Sequence, residues 1–544
     1  MLSGNSSMRK KYFIILVVSL LLAFFGGLYY FGLHRGFVQN SDDWTYLFKR
    51  YMCNVNNEKY VERNFTPYYL AGAIAYHFCG YSYDAPRLLF SVIFFAEVFL
   101  TAAAALSSGM NTINESGSNE MKAWIKNICA FIPFFILFMI LLHPFGGAEQ
   151  YGVLENMIAS YPSDYHHSAV IGMLIFVIVL QICENTDIKR KKTVYVILGL
   201  IFLILFKVSD AIFYISVAAP VLVVLLVMLL RNDKVRPWLL KILALFAGML
   251  ALSRIIYLFF DVNILNNLWF EEWVGVYNGR FYGDTAFEAV EELPENIGTY
   301  IKAITLLFNC NFTQVPVMGF ITIAIFLRGI ILIIGFVIIV KIIIDLFLGK
   351  NRYKFVDYIL AVGVAALSLF YILTDCNYNL HWIRYIWIMV PEFVVILGRN
   401  LKNEVCELVS GFKCAAELDV NKIMLIAGVC LCICFVEPVW EYSGYDEYED
   451  GIRQVLAYID EHDAGGDVVA DYWLKYRVSA CETSNIICKG WDGESVVDYM
   501  IYTEKTGIYC QKDFYLKIID EFGTFEKVME VDGIELYKRG GLPD

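Results

Sequence analysis

The 22-residue run 12–33, YFIILVVSLLLAFFGGLYYFGL, is followed a few residues on by Ser41-Asp42-Asp43-Trp44, and this stretch decides how the chain is read. A helix rising about 1.5 Å per residue needs about 20 apolar residues to cross the hydrocarbon of a bilayer. The run has that length, and Arg9, Lys10 and Lys11 precede it. A secretion signal has a shorter apolar core and a small-x-small cleavage site, and neither is seen here. The run is therefore expected to remain as a first membrane span, with its N-terminus in the cytoplasm. Two adjacent carboxylates just beyond a span are costly to keep ionised near hydrocarbon, so Asp42 and Asp43 are a candidate working site.

Composition agrees. The 544 residues are 58% hydrophobic and 18% charged, with a mean hydropathy of +0.56. A soluble domain is nearer half apolar and a quarter charged, so the chain reads as an integral membrane protein. The net charge is −12; with no basic stripe, a nucleic-acid partner is excluded. Several of the fourteen cysteines, including Cys129, Cys430, Cys432 and Cys434, lie in apolar runs and act as small hydrophobes. No opposed C-x-x-C pairs suggest a zinc site or a disulfide framework.

Apolar runs place spans near 12–33, 86–107, 126–146, 167–184, 193–206, 211–230, 238–260, 316–346, 355–374, 383–398 and 422–437. The fold class is therefore a membrane all-α bundle of about eleven transmembrane helices. The fifth run is short, and the eighth is long enough to tilt or to leave the bilayer. Loops assigned to the inside carry Lys189-Arg190-Lys191-Lys192, then Arg231, Lys234 and Arg236, then Lys350, Arg352 and Lys354, then Arg399, Lys402 and Lys413. The short outer loops 147–166 and 375–382 carry no Lys or Arg. That asymmetry orients the bundle with the N-terminus cytoplasmic, and an odd span count sends the C-terminus outside.

Three regions then stand outside the membrane. Loop 34–85 holds the Asp pair and Thr66-Pro67-Tyr68-Tyr69, and its weakly apolar part 69–79 suits a helix lying at the interface. Loop 261–315 contains Trp269, Glu271, Glu272, Trp273 and Arg280. The tail 440–544 has ordinary soluble composition, so the chain divides into a polytopic part, 1–439, and a small extracytoplasmic α/β domain. In that domain 449–462 reads as a helix and Val468-Val469-Ala470 as a buried strand. Alternation from Val528 to Leu536 around Asp532-Gly533 is a hairpin signal. About 100 residues suffice for an independent core.

Polar groups gather at the outer ends of spans. Besides Asp42, Asp43 and Trp44, these are Asp164, His166 and His167 before the fourth span, and Lys207 and Asp210 between the fifth and sixth. His381, Arg384 and Tyr385 open the tenth within Asn379-Leu380-His381-Trp382-Ile383-Arg384-Tyr385, with Pro391 six residues on. Independent decoration would scatter over both faces; these fall on one.

The acidic pair after the first span, the Arg384-Tyr385-x-x-x-x-x-Pro391 opening of a late span, and about eleven spans ending in an outward domain resemble the GT-C superfamily. These are polytopic glycosyltransferases that use polyprenyl-phosphate-linked sugars. The resemblance covers the whole chain as architecture, with short motifs. It implies an inverting transfer from a polyprenyl-phosphate sugar donor to a glycan, lipid or protein acceptor on the outer side of the cell membrane. Asp42 or Asp43 would be the base, and Arg384, His381 and Lys207 would hold the donor phosphate. Trp44, Asp164, His166, Asp210 and Tyr385 would form the rim or acceptor side. Where the family often has Asp-Glu or spaced Glu, this chain has Asp-Asp, so which carboxylate acts stays open.

Elementary chemistry fits those roles. Transfer to a hydroxyl needs a base for its proton, and a positioned carboxylate serves. The departing lipid phosphate gains charge and needs cationic donors, which a forked guanidinium supplies. Adjacent carboxylates repel, so the two differ in their hold on a proton. Carboxylates also bind a divalent metal ion through oxygen without a spacing signature, which makes such an ion a candidate cofactor. Plainer readings stand beside these. Asp42-Asp43 can solvate a loop, Lys207 can snorkel to the interface, and Arg384 can anchor a helix end. His166 and His167, as helix neighbours, point about 100° apart, which disfavours joint metal ligation. Glu271-Glu272 between two tryptophans suits an interfacial turn. Asn64-Phe65-Thr66 and Asn311-Phe312-Thr313 match the glycosylation sequon, a pattern common by chance. Two other functional classes compete: a transporter or lipid flippase, for which no inverted repeat is found, and an inactive GT-C-like scaffold.

Overall fold

A computed structural model of the chain describes chiefly residues 167–184, 212–231, 246–252, 293–308, 320–373, 386–409, 445–462, 467–470, 496–503 and 512–540, with isolated positions elsewhere. Apolar runs in these segments become helices. Helix α1 is His167–Glu184, and a π-turn at Tyr214–Ala218 leads into α2, Ala219–Arg231. The others are α3, Leu293–Leu307, α4, Phe320–Leu348, α5, Phe355–Ile372, and α6, Met389–Val409. Among the described residues, Tyr214–Arg231, Gly329–Leu348 and Phe355–Ile372 are long and apolar enough to cross a membrane. The 29 residues of α4 extend about 43 Å, more than the hydrocarbon thickness, as the length of the eighth run required.

These helices share one hydrophobic cluster, with α5 at its centre against the π-turn, α2, α3, α4 and α6. The outward side of α4 carries Ile333, Val337, Val340, Ile344 and Phe347, all exposed. Their spacing of three and four makes one stripe along the helix. In water so long an apolar stripe would be an aggregation surface; against lipid it costs nothing.

Chain direction is fixed by contacts at one end. Helix α4 stops at Gly349 (φ 75°), where the Arg231 guanidinium from the end of α2 occupies the place of a side chain. The chain turns through 350–354 and re-enters as α5. There Arg399 Nε of α6 donates to Asp357 Oδ1 at 2.6 Å, both side chains at most 3% exposed. The ends of α2 and α4, the start of α5 and the second half of α6 therefore share one end, marked by Lys350, Arg352 and Lys354. Reading Arg399 and Lys402 as loop charges is corrected here: the helix continues to Val409. Arg399 is a buried ion-pair partner, because the pairing offsets the cost of burying its charge.

At the opposite end lie Tyr371 of α5 and Tyr300 of α3. Their rings stand 6.0 Å apart, and the Tyr300 hydroxyl is hydrogen-bonded to Ser368 Oγ at 2.6 Å. Helix α3 falls in loop 261–315, which was expected to stand outside. Its inner face, Ala303, Ile304, Leu306 and Leu307, belongs to the bundle core.

The C-terminal region is an α/β unit. Helix α7, Tyr445–His462, covers one face of a four-stranded sheet ordered β1-β2-β4-β3, and α8, Lys512–Phe522, covers the other. Strands β1, Val468–Val469, and β2, Tyr499–Thr503, run parallel, whereas β3, Phe525–Val531, and β4, Ile534–Arg539, form an antiparallel hairpin. The hairpin turns on Asp532 (φ 52°) and Gly533 (φ 79°), as its Asp-Gly signal required. Strand β2 and helix α8 were not foreseen. Buried on both faces, β2 lacks the alternation that marks a half-exposed strand.

Candidate functional site

Asp42, Asp43, Trp44, Asp164, His166, Lys207, Asp210, His381, Arg384 and Tyr385 all lie outside the described residues. What the structure describes are the elements that follow several of them. Helix α1 starts one residue after His166, Ile212 comes two residues after Asp210, and Ile386 directly follows Tyr385.

Residues 386–388 form a tight turn, after which α6 begins. Val390 N donates to Trp387 O at 2.9 Å and Glu392 N to Ile388 O at 3.3 Å. Pro391 is tolerated because it sits in the first turn of α6, where N–H groups lack helical partners. Since Arg399 pairs with Asp357 at the basic end, α6 enters from the end that holds Tyr371 and Tyr300.

The segment after Asp210 reaches the same place. At Gly363 of α5, an added Cβ would stand 2.5 Å from the Ser216 carbonyl oxygen and 2.8 Å from Glu392 Oε1. A π-turn residue, a helix glycine and a carboxyl group thus meet at one point, and only glycine leaves the space. Ser216 is six residues beyond Asp210, and Glu392 seven beyond Tyr385. The contact therefore joins the continuation of the Lys207–Asp210 segment to that of the His381–Tyr385 segment. π-turns recur at functional sites because they interrupt the helical ladder.

Glu392 itself is fully buried, and among the described residues neither carboxyl oxygen has a hydrogen-bond partner. Sequence reasoning passed over it; the available signal was a carboxylate inside the apolar run 383–398. Tyr300 contributes a neutral hydroxyl at this end.

A second polar network lies at the basic end. Asp357 accepts from Arg399, from Asn400 Nδ2 at 3.2 Å and from Lys354 N at 3.1 Å. Asp345 Oδ2 accepts from the Tyr358 hydroxyl at 2.5 Å and from Arg352 N at 3.0 Å. Glu404 accepts from Lys341 at 2.6 Å and from the Tyr353 hydroxyl at 2.5 Å. These bonds tie α4, α5 and α6 together and serve as a structural clamp. Among the described residues, no group of three or more His, Cys, Asp and Glu is placed to hold a metal ion.

An apolar bundle with lipid-facing helices, joined in sequence to a small C-terminal sheet unit, defines a polytopic membrane protein with the GT-C fold. The chain is similar to ArnT from Cupriavidus metallidurans bound to undecaprenyl phosphate, with a TM-score of 0.52, 9% identity and coverage of 98% of both chains. The apo state of ArnT gives a TM-score of 0.47 at 10% identity, covering 98% of both chains. An oligosaccharyltransferase from Archaeoglobus fulgidus, in complex with Zn and sulfate, gives 0.47 at 13% identity, covering 96% of this chain and 73% of that one. No protein-family model matches the chain, and no curated protein matches it in sequence.

Proposed function

We propose that the chain is an inverting membrane glycosyltransferase that moves a sugar from a polyprenyl phosphate to an acceptor hydroxyl on the outer side of the membrane. The observation that carries this reading is the fold likeness over 98% of both chains to ArnT, a protein seen bound to undecaprenyl phosphate. The meeting of the segments after Asp210 and after Tyr385 at Gly363 supports a common site for Lys207 and Arg384.

In the reaction, Asp42 or Asp43 takes the acceptor proton as the acceptor oxygen attacks the anomeric carbon. The bond from that carbon to the phosphate oxygen breaks, and the electron pair leaves with the polyprenyl phosphate. Arg384, His381 and Lys207 stabilise the growing phosphate charge. The carboxylates are also of the type that holds a divalent ion. The C-terminal α/β domain, outside the membrane, covers the site or selects the acceptor.

The test is consumption of a polyprenyl-phosphate sugar by the purified full chain, compared with the Asp42→Asn/Asp43→Asn double variant and repeated with EDTA. Transfer by the wild type, lost in a variant that expresses and folds normally, is the expected result. Undiminished transfer in the variant overturns the assignment of the base. Solute movement between compartments without sugar-lipid consumption overturns the enzyme reading in favour of a carrier. Loss of activity with EDTA, restored by a divalent ion, would establish the metal.

A further inference from the structure

The basic end of the bundle sorts its charges by sign. Asp345, Asp357 and Glu404 turn inward and accept from donors of the bundle itself, the Tyr358 hydroxyl and Arg352 N, the Arg399 guanidinium, and Lys341 with the Tyr353 hydroxyl. Arg231, Lys350 and Lys354 are exposed instead, and among the described residues none of these three side chains has an ion-pair partner. The outer surface of this end therefore carries uncompensated positive charge, while its negative charge is spent in the interior.

A plainer reading, solvated cations of a short loop, accounts for their number but not for their setting. Leu230, Phe347 and Leu348, the last apolar residues of α2 and α4, are each more than half exposed, and they precede Arg231 and Lys350 directly in the chain. The two helix ends lie side by side, because the Arg231 guanidinium takes the place that a Cβ of Gly349 would fill. The turn itself is pinned: Gly349 N donates to Asp345 O at 2.9 Å, and Arg352 N to Asp345 Oδ2 at 3.0 Å. The cations thus stand on fixed backbone at the head of an apolar seam between α2 and α4.

We propose that the head of this seam is a binding site for an anionic phospholipid, with its phosphate on Arg231 and Lys350 and its acyl chains against Leu230, Phe347 and Leu348. A guanidinium forks onto phosphate oxygens, and a lysine adds a point charge. Lys354 strengthens the field that selects a headgroup of net negative charge. A zwitterionic headgroup brings its own cation to the same positive surface and gains less. An acidic peptide would satisfy the cations and leave the apolar seam unused. The site lies at the end of the bundle opposite Tyr300 and Tyr371, and it does not depend on the transfer reaction.

The experiment titrates the purified, delipidated full chain in a nonionic detergent with phosphatidylglycerol, with phosphatidylcholine of the same acyl chains, and with inorganic phosphate. Bound lipid is read by native mass spectrometry for the wild type, R231Q, K350Q/K354Q and K302Q. Lys302 is an exposed cation of α3 and serves as the control for net charge. Each cation beside an anionic headgroup is worth about fivefold in affinity. R231Q is therefore expected to bind phosphatidylglycerol about fivefold more weakly, and K350Q/K354Q about 25-fold more weakly. Phosphatidylcholine binding should be unchanged in every variant, and K302Q should match the wild type. K350Q/K354Q alters only exposed side chains, so its thermal midpoint without lipid should equal that of the wild type, and it decides the question if R231Q fails to fold. No preference for phosphatidylglycerol in the wild type overturns the inference, as does undiminished preference in K350Q/K354Q. An equal loss in K302Q assigns the effect to net charge and also overturns it. Inorganic phosphate binding as tightly as the lipid overturns the lipid as occupant.

Discussion

Replacing Asp357 by Leu is expected to destabilise the bundle more than replacing Asp357 and Arg399 together. The carboxylate receives two hydrogen bonds from Arg399, at 2.6 and 3.4 Å, one from Asn400 and one from Lys354 N. Removing it strands a guanidinium whose side chain is 2% exposed, and an uncompensated buried charge costs about 3–5 kcal/mol. Arg399→Met alone strands the carboxylate, softened by its contacts to Asn400 and Lys354 N, and should cost about 3 kcal/mol. In the double variant no charge is stranded. Asn400 Nδ2 keeps its bond to Ile396 O at 3.0 Å, and the main loss is the contact that caps the start of α5, about 1 kcal/mol. The assay is a denaturant titration of the purified protein in micelles, completed as a double-mutant cycle. A double variant more stable than either single one is the expected result. Additive losses would refute the reasoning, because they would mean that the partners contribute separately rather than by neutralising each other.

Gly349→Ala should cost about 1–3 kcal/mol in the same titration, since φ is +75° and the Arg231 guanidinium fills the space a methyl group would take. An unchanged midpoint would show that the end of α2 does not cap α4. In the C-terminal sheet, the Tyr537 phenol is pushed up from 10 to about 12, first by burial and then by its 2.5 Å hydrogen bond to Glu535. A raised folded value means that the stabilisation is complete below pH 10 and is lost as pH climbs from 10 through 12. The difference in phenolate absorbance between wild type and Tyr537→Phe should therefore titrate near 12 and move down in Glu535→Gln; titration near 10 would refute the contact.

Much of the architecture was legible because the bilayer imposes a length and a composition. The runs 167–184 and 355–374 became α1, His167–Glu184, and α5, Phe355–Ile372, with bounds nearly unchanged. The tail hairpin was legible because Asp532-Gly533 suits a turn that needs two positive φ angles. Arg399 was misread because charge counting takes no account of a partner 42 residues away. Helix α3 was left in a loop because Glu295 and Lys302, on its exposed side, break the continuous apolar run that marks a span.

The sequence by itself determined an apolar helical membrane bundle and raised the expectation of a soluble tail and of polar residues at span ends, including the Asp42-Asp43 pair. Each depends on local composition and period, properties of short stretches. Only the tertiary structure decided that the chain after Asp210, at the Ser216 carbonyl, and the chain after Tyr385, at the buried Glu392, meet at Gly363. That meeting depends on a missing Cβ and on helices packing across more than 140 residues of sequence. Close approach of backbones is a property of three dimensions, and no periodicity in the chain encodes which glycine will face which carboxyl.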